Sequence, residues 1–171
     1  MGRLNDWYVA DLLEILRKRG ETVSAVESCT GGLLSARITD ISGSSDVFRQ
    51  SYVTYCDEAK HHLVKVKKST LRKYTAVSQK TAEAMAKGGA KVSGADACLS
   101  VTGYAGPAMD EKDTNVGLVY VGCFYLGRIR VKELHLTGTR RQIREAAVDE
   151  ALRLLNKSLK SHVEKRRWMR P

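Results

Sequence analysis

Helical and strand patterns alternate along the first hundred residues, a two-strand run follows at 116–136, and no apolar run approaches bilayer length. Together these predict an α/β fold: one domain, built as a three-layer α/β/α sandwich around a mixed sheet.

The elements follow in order. Residues 5–19 read as a helix. Asn5 caps it, Tyr8, Val9, Leu12, Leu13 and Leu16 share one face, and Gly20 ends it. TVSAVE (22–27) reads as a strand, and 31–40 as a helix with Leu33, Leu34 and Ile38 at helical spacing. DISGSSD (40–46) is turn-rich, and FRQSYVTY (48–55) alternates as a strand does. Asp57 is the expected cap of a short helix at 58–64; Ser78 caps another at 79–92, which Gly94 ends. DACLSVT (96–102) is a buried-strand candidate, and GYAGPAMDEKDTN (103–115) a long loop. VGLVYVGCFYLGRIRVKELHL (116–136) reads as two strands joined at Leu126-Gly127-Arg128, and Thr139 caps a final helix from 140 to about 160.

Bulk composition narrows the function. At 171 residues and 43% apolar content the chain can bury a core without staples, and two prolines with 14 glycines do not describe a disordered chain. Cys29, Cys56, Cys98 and Cys123 form no C-x-x-C pair, and the four histidines form no H-x-x-x-H pair. Free thiols in a reducing cytoplasm are expected, with no metal site. The N-terminus lacks the pattern of a signal peptide. The net charge of +10 raises nucleic acid as a partner, but residues 157–171 hold six basic residues against one acid, a net of +5. We therefore divide the chain into a domain at 1–160 and a basic tail at 161–171.

Ligand sites in such folds lie beyond the carboxyl ends of strands. Three loops leave strands that way, at 28–32, 56–60 and 103–115. Ser28 sits where a strand stops and a helix begins, with Cys29, Thr30, Gly31 and Gly32 after it. A helix start offers free N–H groups and positive potential, and the two glycines allow close approach to the backbone. Ser28 is a candidate nucleophile, Cys29 a rival, and Ser28 or Thr30 as a plain helix cap the competing reading. No histidine pattern accompanies the serine. Lys60 can serve as base if burial and a helix start lower its pKa, and Tyr55 can hold or relay a proton. TGYAGP (102–107) can line a pocket with backbone amides. Arg140 and Arg144 lie one helical turn apart near a helix start, where a cation opposes the dipole; a bound phosphate at Arg140 would explain that, and a surface arginine pair is the alternative.

The ordered set AVESCTGG (25–32), SGSS (42–45), YCDEAK (55–60), AVSQKTAEAMA (76–86), VTGYAGP (101–107), VGLVYVG (116–122) and GTRRQIR (138–144) resembles the CinA C-terminal domain family of nicotinamide-nucleotide amidases, over roughly residues 5–158. The resemblance implies a stand-alone amidase that converts nicotinamide mononucleotide to nicotinic acid mononucleotide and ammonia. It implies Ser28 as nucleophile and Lys60 as base, with Tyr55 and Ser45 assisting. Thr30, Gly31 and Gly32, together with Thr102, Gly103, Ala105 and Gly106, would form the pocket, and Arg140 would meet the phosphate. No cofactor is implied. Expected partners are the small-molecule substrate and further copies of the chain in a homo-oligomer, with neither membrane nor nucleic acid. One stretch departs from the family pattern: where a glycine-rich segment and then Lys-Pro-Val-Gly usually follow TGxAGP, this chain reads AMDEKDTNVG. A non-catalytic nucleotide binder and a basic nucleic-acid-binding module are the competing readings.

Overall fold

A computed structural model describes residues 4–107 and 115–168, the last seven of these by backbone alone. Most of the AMDEKDTNVG departure and the end of the basic tail lie outside the described residues.

The elements run as Asp6–Arg19 (α1), Val23–Glu27 (β1), Leu33–Thr39 (α2), a 3-10 turn at Ser44–Asp46, Phe48–Val53 (β2), Asp57–Val64 (α3), Lys68–Tyr74 (α4), Gln79–Ser93 (α5), Ala97–Gly103 (β3), Leu118–Tyr125 (β4), Arg128–His135 (β5) and Arg140–Trp168 (α6). The five strands form one sheet in the order β2-β1-β3-β4-β5. β1 runs parallel to both β2 and β3, while β3, β4 and β5 pair antiparallel, so the sheet is mixed as expected.

Two cores flank this sheet. Alternate residues of a strand face opposite sides, and neighbours in β1 and β3 divide accordingly. Ala25 and Leu99 join the core under α1 and α6, with Leu12, Leu16, Ile143 and Leu155. Val26 and Cys98 join the core under α3, α4 and α5, with Val64, Leu71 and Met85. A side chain on Gly89 would meet Val26 Cγ2 at 2.4 Å and Cys98 Sγ at 2.6 Å, so glycine sets how closely α5 approaches the sheet. This is the three-layer sandwich.

Local chemistry sets the ends of the elements. Asn5 Oδ1 accepts from the Tyr8 N–H at 3.0 Å, and Gly20 closes α1 in a left-handed conformation. Ser78 Oγ accepts from the Thr81 N–H at 3.2 Å. Thr139 and Gln142 cap α6 reciprocally: Gln142 Oε1 accepts from the Thr139 N–H at 2.8 Å and Thr139 Oγ1 from the Gln142 N–H at 3.4 Å. Leu126 and Gly127, at φ 44° and 81°, make the two-residue hairpin turn between β4 and β5.

Three details differ from the sequence reading. α6 continues to Trp168 instead of ending near 160, so the helix backbone runs through most of the segment set apart as a basic tail. The cap of α3 is Cys56, whose Sγ accepts from the Ala59 N–H at 3.4 Å, while Asp57 becomes the first helical residue. A carboxylate in the first turn still favours the helix, so both residues suit a helix start. α4 has no counterpart in the sequence pattern, because only Leu71 among its residues is buried and one apolar position defines no period. Among the described residues, no helix is long and apolar enough to cross a membrane. The parallel strands β1, β2 and β3 all end on one edge of the sheet, which brings the turns after Glu27, Val53 and Gly103 together.

Candidate active site

Those turns enclose a cavity of about 700 Å³ whose wall includes Ser28, Cys29, Tyr55, Lys60, Gly106 and Arg140. Its centre is a contact between two elements far apart in sequence. Lys60 is 1% exposed and Ser28 9%. Lys60 Nζ donates to Ser28 Oγ at 3.2 Å and to the Thr54 carbonyl at 2.9 Å. Burial lowers the lysine pKa, and it outweighs the opposing charge of Asp57, which is exposed. The result is an amine biased toward its neutral, proton-accepting form and in contact with a hydroxyl.

Glu27 shapes the turn that carries Ser28. It is the last residue of β1 and is fully buried. Its carboxylate accepts from the N–H groups of Gly32 (3.1 Å), Leu34 (2.9 Å) and Ser35 (2.9 Å) and from Ser35 Oγ (2.6 Å). The positive end of α2 is thus neutralised from within the chain. The sequence alone predicts an open anion site at that helix start; Glu27 already fills it. The free donors lie earlier. Gly31 N–H is taken by Ser28 O at 3.1 Å and Ser28 N–H by Val101 O at 2.9 Å. The N–H groups of Cys29 and Thr30 make no hydrogen bond to another described residue. Cys29 lines the cavity next to Ser28, which makes its N–H a candidate oxyanion donor.

The Cys29 side chain is set apart from the Ser28–Lys60 contact, since Lys60 Nζ meets Ser28 Oγ and the Thr54 carbonyl and makes no hydrogen bond to the Cys29 thiol. Burial pushes its thiol up to about 11, which keeps it protonated at neutral pH. All four cysteines are free, and only Cys56 is exposed.

At the mouth, Arg140 donates through Nη1 to the Gly106 carbonyl and through Nη2 to Tyr55 Oη at 3.1 Å. These two acceptors explain a cation at the start of α6 and tie together the turns after β2 and β3. A guanidinium has five N–H donors, so capacity remains toward the cavity. Tyr55 is 61% exposed. Its hydroxyl meets Arg140, not Ser28 or Lys60, so it stands at the rim and outside the buried pair.

The remaining expected residues divide. Gly103, Ala105 and Gly106 lie in the wall. A side chain on Gly103 would meet Leu118 O at 2.7 Å, so the position requires glycine. Gly31 and Gly32 shape the turn through positive φ, 57° and 97°, without lining the cavity. Thr30 is fully buried behind Cys29, and its Oγ1 has no hydrogen-bond partner among the described residues. Thr102 is buried and donates to Ala76 O at 2.8 Å, which holds the Ala76–Val77 segment in the wall. Ser45 is not brought to the site within this chain. It is exposed, three residues before β2, and Val23 pairs with Phe48 across parallel strands. Ser45 therefore lies off the opposite edge of the sheet, roughly 15 Å or more from Ser28 at about 3.3 Å per strand residue.

Sequence reading missed Glu27, Ala76, Val77, Asn115 and Val116 as site residues. An acid at a strand's last position, five residues before a glycine-started helix, was the signal for Glu27.

Residues 6–159 match the family model of the CinA C-terminal domain. A CinA-like protein of Syntrophomonas wolfei is 45% identical over 161 residues, covering 94% of this chain and 39% of that protein. A CinA-like protein of Kosmotoga olearia is 45% identical over 149 residues, covering 87% of this chain and 36% of that protein. The chain thus spans well under half the length of these curated relatives. The crystal structure of a competence-damaged protein (CinA) superfamily protein from Klebsiella pneumoniae superposes with a TM-score of 0.87 at 30% identity, covering 92% of this chain and 99% of that one.

Proposed function

The chain belongs to the CinA C-terminal domain family, and on that footing we propose that it hydrolyses the carboxamide of nicotinamide mononucleotide to nicotinic acid mononucleotide and ammonia. The observation that carries the reading is the buried contact of Lys60 Nζ with Ser28 Oγ at 3.2 Å. A serine hydroxyl attacks an amide only if a base takes its proton as the bond forms. A lysine is that base when burial holds it neutral, and burial is the first cause of the lowered pKa here.

The steps balance with these groups and one water. Ser28 Oγ bonds to the carboxamide carbon while Lys60 takes the hydroxyl proton. The carbonyl oxygen gains negative charge and receives the Cys29 N–H. The tetrahedral species collapses, the C–N bond breaks, and Lys60 returns the proton so that nitrogen leaves as ammonia. Water then attacks the ester on Ser28, giving its proton to Lys60. The second collapse breaks the ester C–O bond and frees the carboxylic acid, while Lys60 returns the proton to Ser28 Oγ and restores the serine. Arg140, at the mouth, meets the substrate phosphate, and binding energy from that remote group lowers the barrier at the carbon.

Incubation with nicotinamide mononucleotide, followed by assay of ammonia and the acid product, tests the reading. Equimolar release of both supports it. Saturable binding without product would make the protein a nucleotide binder.

A further inference from the structure

Arg144 stands one turn beyond Arg140 on α6, yet it holds backbone and not the cavity mouth. Its Nε donates to Cys29 O at 3.1 Å and its Nη2 to Thr30 O at 2.6 Å. We propose that Arg144 is a positioning residue for the oxyanion: it fixes the peptide planes after Ser28 so that the Cys29 N–H stays open to the cavity. The proposal rests on the amidase reading above.

The argument is geometric. In a trans peptide the C=O and N–H point in opposite directions. Holding Thr30 O on the Arg144 side turns the Gly31 N–H to the other side, where it donates to Ser28 O at 3.1 Å. Fixing Ser28 O inside the turn in the same way directs the Cys29 N–H outward. Holding Cys29 O sets the Thr30 N–H behind it. The rest of the turn is already committed: Leu33 N–H goes to Thr30 O at 3.2 Å, and Glu27 takes Gly32, Leu34 and Ser35. One cation and one buried anion thus satisfy this turn from opposite sides and leave the Cys29 N–H, directly after the nucleophile, without a partner in another described residue. The guanidinium also packs against the turn, since a Cβ on Gly31 would sit 3.6 Å from Nη2. Arg144 is not in the cavity wall, so it acts through the peptide planes and not by touching substrate.

The test compares wild type, Arg144→Met and Arg144→Lys, each checked for folding by circular dichroism. With nicotinamide mononucleotide, Arg144→Met should lower kcat about 100-fold, the scale of one lost oxyanion donor. KM should stay within about threefold and the pH midpoint of kcat should not move, because Arg140 and Lys60 are untouched. Arg144→Lys, which can hold one carbonyl, should recover part of kcat, and it carries the comparison if Arg144→Met does not fold. A folded variant with wild-type kcat, or one that changes KM alone, overturns the proposal. If the wild type releases no ammonia, the amidase reading fails, and labelling of Ser28 by a small alkyl fluorophosphonate decides the role of Arg144 separately. There Ser28 Oγ bonds to phosphorus, the P–F bond breaks, fluoride leaves, Lys60 takes the proton, and the P=O oxygen occupies the oxyanion position. Labelling should be at least about tenfold slower in the folded variant. Equal labelling rates, or a wild-type Ser28 that neither turns over nor labels, overturn it.

Discussion

Tyr55 Oη accepts from Arg140 Nη2 at 3.1 Å, across a gap of 85 residues in sequence. This bond closes the mouth of the cavity by joining the turn after β2 to the start of α6. It leaves Tyr55 beside the arginine that would meet a phosphate and away from the Ser28–Lys60 pair.

That division predicts different kinetic effects at the mouth. Arg140→Ala should raise KM for nicotinamide mononucleotide by about 10–100-fold, the range for losing a charged hydrogen bond. It should change KM for the phosphate-free nucleoside far less. Tyr55→Phe should alter kcat by less than about threefold, since it removes a support of Arg140 and no proton carrier. Steady-state kinetics on both compounds checks this; equal losses on both would remove Arg140 from phosphate binding.

Cys29→Ala should retain turnover within several-fold of wild type. The change keeps the backbone N–H and removes a thiol that burial holds near 11. Measured ammonia release as low as in Ser28→Ala, in a folded protein, would return Cys29 as the nucleophile.

Lys60→Met should change how stability depends on pH. The folded pKa of Lys60 is depressed, so between that value and the ordinary lysine value of about 10.4 the unfolded chain holds more protons. Wild-type stability therefore gains as pH rises through that window, while the variant lacks this gain. Loss of the donor to Thr54 O adds an offset that does not vary with pH. The Tm of Lys60→Met minus that of wild type should fall as pH is raised from 7 toward 10. A gap constant over that range in thermal scans would mean that Lys60 carries no depressed pKa.

Glu27→Gln should destabilise the fold by about 1–3 kcal/mol, because the amide turns an NH2 group toward donors that the carboxylate oxygens now accept from. Denaturant unfolding reads this directly. A loss below about 0.5 kcal/mol would show that the turn after β1 is held without that anion.

The sequence carried the architecture because its signals are local. Asn5, Ser78 and Thr139 cap the helices they were expected to cap, and the apolar spacing of Val9, Leu12, Leu13 and Leu16 gave the buried face of α1. Lys60 and Ser28 were legible as loop residues beyond strand ends, and parallel pairing of β1 with β2 supplies the geometry that joins them. What was not legible depends on tertiary partners. Glu27 looked like an ordinary strand end until α2 folded back onto it. Arg140 and Arg144 form one motif in sequence, but one turn of helix aims the first at the mouth and the second at the carbonyls of Cys29 and Thr30. Ser45, implied by resemblance alone, is separated from Ser28 by the length of the sheet, a distance that no spacing in the sequence encodes.

The central claim is that Ser28 and Lys60 act as one unit, and kcat/KM for ammonia release in a double-mutant cycle tests it most directly. Ser28→Ala and Lys60→Ala should each abolish most turnover, and the double variant should be little worse than either, since groups sharing one step are lost together. Lys60→Arg belongs in the same series, because a guanidinium stays protonated and cannot take the serine proton; it should be as inactive as Lys60→Ala. Independent, multiplicative losses in the cycle, or a folded Lys60→Arg protein with near-normal kcat/KM, would contradict the account.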